Sequence, residues 1–172
     1  ALVAFLAKQG LTVADTGHLI TMAILPWTFK LIWAPLIDSL NFPAMGRRRP
    51  WIIFAEIMMA FTLIALSFRG DILNDLNYLA WMFFLHNCFA SLQDVCTDAL
   101  AVDILHPDER GQTNGYMWGS KIVGVGIGGS IMGTILVKTS LNTTVIFQTG
   151  LVLAVMIFPL IFRERKGEKL LP

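Results

Sequence analysis

The sequence is poor in charge. Asp, Glu, Lys and Arg make up 15% of its 172 residues, while hydrophobic residues make up 55%. A soluble domain usually carries about 25% charged residues. This deficit, together with repeated apolar runs, excludes an ordinary soluble domain and predicts an integral membrane protein. The formal net charge is +1, and because topology places these charges, that total indicates no particular partner.

Cysteine and histidine are also scarce. Cys88 and Cys96 lie eight residues apart on one predicted helix, a rise of about 12 Å, which is too far for a disulfide. The histidines, His18, His86 and His106, are isolated from one another. We therefore expect His18 and His86 to be satisfied by polar packing and His106 to be a loop residue beside Pro107. We predict no metal site and no cofactor.

No signal peptide is visible at the start. Residues 1–7, ALVAFLA, are typical of the end of an apolar helix. We therefore expect the chain to begin within a first helix and to be a fragment of a longer protein.

Five further runs are long enough to cross a bilayer, which takes about 17–25 residues. They cover residues 18–37, 51–68, 78–105, 113–137 and 143–162. Pro26 and Pro35 indicate kinks or ends in the first of them. Residues 8–17 and 106–112 are expected to be polar turns or loops. Aromatic residues near the predicted ends suit an interfacial belt: Trp51, Tyr78, Trp81, Tyr116 and Trp118.

Basic residues are distributed unevenly between the connections. Loops 38–50 and 106–112 and the tail carry eight of them, and the other connections carry Lys8, Arg69 and Lys138. The eight are Arg47, Arg48, Arg49, Arg110, Arg163, Arg165, Lys166 and Lys169. The positive-inside rule places the first set in the cytoplasm.

The chain is organised around residues 81–106, an apolar run that contains a polar stripe. Asn87, Ser91, Asp94 and Asp98 are spaced four, three and four residues apart, so they share one helical face. Ionisable residues within a membrane span are costly and face the bundle interior or a watery cavity.

Depth estimated from helical rise places Lys30 and Lys121 in the same layer as Asp94 and Asp98. One interpretation is a charge network that only fixes helix packing. The other is a substrate and proton site, in which two neighbouring carboxylates hold a proton between them. Asp98→Asn is then expected to abolish proton-coupled uptake. The candidate site residues are Lys30, Asn87, Ser91, Gln93, Asp94, Asp98 and Lys121.

The run Arg47–Arg49 has two interpretations. It anchors the chain on the cytoplasmic side, or it forms a cytoplasmic gate in which arginines meet Asp38, Asp103 or Asp108. The gate candidates are Asp38, Arg47, Arg48, Arg49, Asp103 and Arg110.

The glycine-rich run 111–133 repeats glycine at intervals of four. Such spacing lets helices approach closely in lipid. The segment VGVGIGG (123–129) follows no predicted strand, so a dinucleotide fingerprint is not indicated.

An intramembrane prenyl- or phosphatidyl-transferase would need motifs that are lacking. Asp94-x-x-x-Asp98 has a possible acidic partner only in Asp71–Asp75, which is predicted on the opposite side of the membrane. We therefore expect no enzyme. A non-transporting receptor or assembly partner remains an alternative.

Four segments together resemble AmpG-type permeases of the peptide–acetyl-CoA–drug transporter group of the major facilitator superfamily. They are FKLIWAPLID (29–38), GRRRPWI (46–52), LQDVCTDALAVDIL (92–105) and HPDERGQTNGY (106–116). The resemblance implies an all-α, major-facilitator-type helical bundle. Residues 1–172 would be most of its N-terminal six-helix half, with a truncated first helix and the C-terminal half as partner.

The resemblance also implies a function: a secondary transporter of a muropeptide-like, peptide or acetyl-CoA-like solute. Proton symport with alternating access is expected, with the proton as coupling ion, in the bacterial inner membrane. The expected partners are the small-molecule substrate and the lipid bilayer, and no nucleic acid.

Overall fold

The structure, a computed structural model, describes residues 2–39, 45–69 and 75–164, and these form seven α-helices. They are α1 (Leu2–Lys8), α2 (Val13–Thr28), α3 (Lys30–Ser39), α4 (Arg49–Ser67), α5 (Leu76–Ile104), α6 (Pro107–Lys138) and α7 (Leu141–Ile161). Asp71 and the basic residues Arg165, Lys166 and Lys169 lie outside the described residues.

Helix length and composition identify the chain as an all-α membrane protein. The helices α4, α6 and α7 are each long and apolar enough to cross a membrane, and α2 with α3 forms a further candidate span. The helix α5 is 29 residues long and carries the polar stripe instead of a uniformly apolar surface. All five runs predicted to be spans are therefore helical, with boundaries shifted by a few residues.

The α2–α3 pair bends by 43°. The break lies at Phe29, whose N–H bonds to the Pro26 carbonyl at 3.2 Å. This contact reaches back three residues instead of four and tightens the end of α2. The predicted kink thus exists, but it lies between Pro26 and Pro35 instead of at either proline.

The polar turn predicted at residues 8–17 is shorter than expected, because α2 begins at Val13. The Thr12 hydroxyl accepts a hydrogen bond from the Asp15 N–H at 3.1 Å, and the Asp15 carboxylate accepts one from the Thr12 N–H at 3.2 Å. This reciprocal capping box satisfies two backbone donors that the first turn of a helix leaves unpaired.

The prediction of a loop at residues 106–112 is wrong, because α6 begins at Pro107. Proline at the first helical position has its backbone already set for the helix. The Glu109 carboxylate accepts the His106 N–H at 3.4 Å, and acidic residues in a first turn favour the helix dipole. Only Leu105 and His106 separate α5 from α6.

The helix α4 packs mainly against α5 and α7, and α5 also packs against α2. Two clusters of buried apolar residues hold these contacts. The far-end cluster contains Leu6, Leu19, Leu63, Leu66, Leu79, Ala80 and Val145. The basic-end cluster contains Ile37, Ile52, Ala55, Leu92 and Cys96, and we call the end of the bundle beside Arg47–Arg49 the basic end.

The helix α6 lies at the edge of this bundle. Of the 32 residues of α6 in the described part of the chain, Leu136 alone is buried, and α6 packs against α7 and α1. A Cβ added at Gly115, Gly119 or Gly124 would meet no atom within 4 Å. The close helix packing predicted at these glycines is therefore not formed among the described residues.

The far-end cluster predicts a site-specific loss of stability. Leu79 is fully buried on α5, whereas Leu85 on the same helix is 36% exposed. Leu79→Ala leaves a cavity and is expected to cost about 2–5 kcal/mol. Leu85→Ala is the matched control and should change stability little. Thermal unfolding of the full-length protein in detergent measures both, and equal shifts would contradict the predicted core.

Candidate functional site

The polar stripe of α5 faces α2 and α3. The Asn87 side-chain oxygen accepts a hydrogen bond from the Trp27 indole N–H at 2.9 Å. One turn further on, the Ser91 hydroxyl accepts the Trp33 indole N–H at 2.8 Å. Each polar group of the stripe thus has a partner, as buried polar groups require.

Two lysines and two aspartates form the next layer, which we call the charge cluster: Lys30, Asp94, Asp98 and Lys121. The Lys30 ammonium pairs with Asp94 Oδ2. The Lys121 ammonium lies 2.6 Å from Asp94 Oδ1 and 3.2 Å from Asp98 Oδ1. Residues from α3, α5 and α6 therefore meet at one point with equal numbers of positive and negative charges.

The members of the charge cluster differ in exposure. The Asp94 side chain is 15% exposed, each lysine side chain is 35% exposed, and that of Asp98 is 46% exposed. Lys30, Asp94 and Lys121 line an open cleft of about 690 Å³. Asp94 is therefore the enclosed centre of the cluster, and the two ammonium groups are its accessible positive charges.

The geometry around Asp94 and Asp98 differs from that expected for two carboxylates that share a proton. The Lys121 ammonium contacts both carboxylates. A shared proton forms when two like charges are held together without a neutralising cation. The lysine supplies that neutralisation here, so the arrangement favours two carboxylates in ion pairs.

Gln93 lies apart from the other candidates. Its side-chain amide donates to Glu56 Oε1 on α4 at 2.8 Å. Successive residues on a helix are about 100° apart, so Gln93 and Asp94 contact different neighbours. The structure thus brings together six of the seven candidates along one face of α5 and places Gln93 at the α4–α5 interface.

A second charged group lies at the basic end. The Arg48 guanidinium contacts Asp38 at 2.6 Å and Asp103 at 2.9 Å, and Arg47 contacts Asp38 at 2.9 Å. Burial disfavours the charge on Arg48, but its hydrogen bonds to Asp103 and Asp38 outweigh this and raise its pKa. These contacts join the ends of α3 and α5 to the start of α4.

The other two gate candidates contact helix ends. Arg49 donates to the carbonyls of Pro159 at 2.5 Å and Leu160 at 2.8 Å, in the last turn of α7. Arg110 donates to the Val102 carbonyl at 2.9 Å and the Leu105 carbonyl at 3.4 Å, at the end of α5. Cations at these positions compensate the partial negative charge of a helix C-terminus.

Glu164 completes the basic end, although its position in the sequence indicated only a charged tail. Its Oε2 accepts the backbone N–H groups of Arg47, Arg48 and Arg49 at 3.0, 3.0 and 3.4 Å. A carboxylate at a helix N-terminus is stabilised by these N–H groups and by the dipole. It connects the residues after α7 to the start of α4.

The structure also shows tryptophan contacts at the site that were not predicted from the sequence. Trp27 and Trp33 flank Lys30 at intervals of three residues, a spacing that marks one helical face. The Lys30 ammonium also lies 4.8 Å from the Trp27 ring centre, and that of Lys121 lies 5.3 Å from the ring centre of Trp118. Trp118 was predicted in an interfacial belt, but it lies about 16 Å along α6 from Pro107.

The fold and this charged interior define a polytopic helical membrane protein. The chain belongs to the BT1 family, because the model of that family matches residues 1–171. The family is related to the major facilitator superfamily. This confirms the family resemblance inferred from the four sequence segments.

Curated relatives give further similarity. The chain is 36% identical to the anhydromuropeptide permease of Escherichia coli K12 over 49% of its own length and 17% of the relative's. It is 28% identical to a Rickettsia bellii protein named as a candidate AmpG transporter, over 67% of the chain and 29% of the relative. An uncharacterised membrane protein of Saccharomyces cerevisiae is 29% identical over 63% and 22%.

The chain therefore spans less than a third of the length of these relatives. The two bacterial relatives are named as a permease and a transporter, not as enzymes. No solved structure gives a significant match.

The charge cluster predicts unequal effects of neutralising its two aspartates. Asp94→Asn removes the carboxylate between Lys30 and Lys121 and leaves two cations facing each other, a loss of up to about 3–5 kcal/mol for a buried pair. Asp98→Asn leaves Lys121 paired with Asp94 and removes a half-exposed contact, which is worth about 1 kcal/mol or less.

Thermal unfolding of the two variants in detergent compares these effects directly. Both variants replace an aspartate with asparagine on the same helix, so each serves as the control for the other. A larger destabilisation by Asp98→Asn would contradict the central position of Asp94.

Proposed function

We propose that the protein to which this chain belongs is a secondary transporter of muropeptide-like solutes, driven by proton symport. The observation that carries the proposal is the charge cluster, which lies on the wall of a cleft in a family with a relative named anhydromuropeptide permease. In this proposal the chain is the N-terminal six-helix half, and the C-terminal half supplies the opposite wall.

The chemistry of the cluster suits a solute that carries carboxylate and polar groups. Lys121 is held most closely by Asp94, and its contact with the exposed Asp98 is longer. A solute that offers a carboxylate to Lys121 and a polar donor to Asp98 can therefore bind both groups while Asp94 holds the lysine in place. The rings of Trp27 and Trp118, each beside a lysine of the cluster, offer flat apolar surfaces next to these charges.

Alternating access would follow from rocking the two halves about a site near the middle of the membrane. The basic end would be the cytoplasmic side, in agreement with the positive-inside rule. There Arg48 bridges Asp38 and Asp103, and Glu164 holds the start of α4. These contacts would keep the ends of α3, α4, α5 and α7 together while the half moves. We assign the protein to the bacterial inner membrane.

Uptake by the full-length protein in proteoliposomes tests this proposal. Lys121→Gln removes an ammonium group that would contact the solute and is expected to lower anhydromuropeptide uptake about 10- to 100-fold, since a charge-assisted hydrogen bond contributes about 1.5–3 kcal/mol. Lys138→Gln is the matched control, because Lys138 lies at the far end of the same helix, and it should leave uptake unchanged.

Asp98→Asn is expected to abolish proton-coupled uptake in the same assay. It should also abolish solute exchange without a proton gradient, because Asp98 belongs to the solute site. Wild-type uptake by Lys121→Gln would contradict the assigned site. Binding of anhydromuropeptide by the wild type without any flux would favour the receptor alternative.

A further inference from the structure

Glu56 is a carboxyl group inside the bundle that the charge cluster does not include. It lies on α4, about 10 Å along the helix from Arg49, and its exposure is 1%. Gln93 donates to one of its oxygens, Oε1, at 2.8 Å. The other oxygen, Oε2, is buried and has no hydrogen-bond partner among the described residues.

The surroundings of Glu56 differ from those of the other interior carboxylates. Asp94 and Asp98 contact lysines, and Asp38 and Asp103 contact arginines. No ion pair to Glu56 is present within the described ranges 2–39, 45–69 and 75–164. At 1% exposure, Glu56 is already enclosed within this chain.

A buried carboxylate with neither a cation nor a full set of donors carries a large desolvation cost. The neutral acid avoids that cost, and a carbonyl oxygen that accepts one amide hydrogen bond suits the geometry at Oε1. In the arrangement described by the structure, Glu56 is therefore protonated.

Within the described ranges, no ionisable side chain of the helices packed against α4 forms an ion pair or a hydrogen bond with Glu56. The helix α7 has no ionisable side chain between Leu141 and Ile161. On α5, His86 contacts Thr62 at 3.0 Å, Tyr78 donates to Ala65, and Cys96 is buried in the basic-end cluster. On α4 itself, Arg49 donates to carbonyls of α7.

Glu56 is nevertheless linked to the charge cluster through α5. Gln93, which contacts Glu56, immediately precedes Asp94, the centre of the cluster. The same interface continues to the His86–Thr62 pair, about 9 Å from Glu56 along α4. Both residues of that pair line a cavity of about 490 Å³, which therefore lies within two turns of Glu56 along α4.

We propose that Glu56 is the proton-binding group of the transport cycle, and that the charge cluster holds the solute. This inference rests on the proposed function. The Glu56 carboxylate takes up one proton on one side of the membrane to form the neutral acid, and the acid releases it on the other side. No other bond forms or breaks. The charged form loses its fit at the α4–α5 interface, and Gln93 passes that change to Asp94.

Infrared spectroscopy of the full-length protein tests the protonation without any transport. Glu56→Gln, which has the shape of the neutral acid, is expected to remove a carbonyl-stretch band of a protonated carboxyl group. Asp98→Asn is the control and should keep the band. An unchanged band in Glu56→Gln would overturn the proposal.

Gln93→Leu provides a second test that does not need the Glu56 variant to fold. It removes the hydrogen bond that Oε1 accepts, so the band should move to higher frequency, since an accepted hydrogen bond weakens the carbonyl bond. A band that does not move would show that another carboxyl group produces it, and would also overturn the proposal.

Transport separates coupling from solute binding. If one proton accompanies each solute molecule and the pH gradient is the only driving force, each pH unit supports about tenfold accumulation of anhydromuropeptide. Glu56→Gln should lose this accumulation and keep exchange of solute at equal pH, whereas Asp98→Asn should lose both. Wild-type accumulation by Glu56→Gln would overturn the assigned role.

The proposed function can fail separately. If the wild type neither accumulates nor exchanges anhydromuropeptide, the proposed solute is wrong. The infrared band then decides on Glu56 alone: a band that is lost in Glu56→Gln and titrates in the wild type supports a proton-binding group, and its absence from the wild type overturns it.

Discussion

Charge compensation inside an apolar bundle is the constraint on which this structure depends. A single charge left in low-dielectric surroundings costs several kcal/mol, so each ionisable group needs a counter-charge, a helix end or a proton. The charge cluster meets this requirement with two lysines and two aspartates from three helices. Because α5 supplies both aspartates, the positions of α3 and α6 relative to it depend on Lys30 and Lys121.

The basic end uses helix termini for the same purpose. Glu164 binds the backbone N–H groups around the start of α4, and Arg49 binds carbonyls in the last turn of α7. Arg110 binds carbonyls at the end of α5. In each case a full charge meets backbone groups that the helix cannot satisfy itself. The charges that the topology requires at this end thus also fix how the helix ends meet.

Much of this arrangement follows from the sequence. Apolar run lengths predict the long helices, and the intervals between Asn87, Ser91, Asp94 and Asp98 predict their common face. The helical rise places Lys30 and Lys121 at a matching depth. These predictions succeed because rise and rotation per residue are properties of a single helix.

Other features depend on which helices are neighbours, and spacing does not determine that. Glu56 interrupts an apolar run, but its contact with Gln93 exists only because α4 packs against α5. Glu164 lies in a charged segment whose composition suggests solvent, yet three N–H groups of a distant helix bind it. The early start of α6 agrees with Pro107 at its first position and Glu109 in its first turn, whereas the polar composition of residues 106–112 favours a loop.

In the proposed transporter, the two faces of α5 would couple a solute and a proton that do not contact each other. On one face Asp94 is neutralised by cations, so it responds to an ion that competes for those cations. On the other face Gln93 meets a carboxyl group with no cation, and that group responds to protonation. Because Gln93 and Asp94 are adjacent on a rigid helix, a shift of either contact displaces the other. In the proposed transporter, separation of the two sites would keep the lysines of the charge cluster from pairing with the Glu56 carboxylate and displacing its proton.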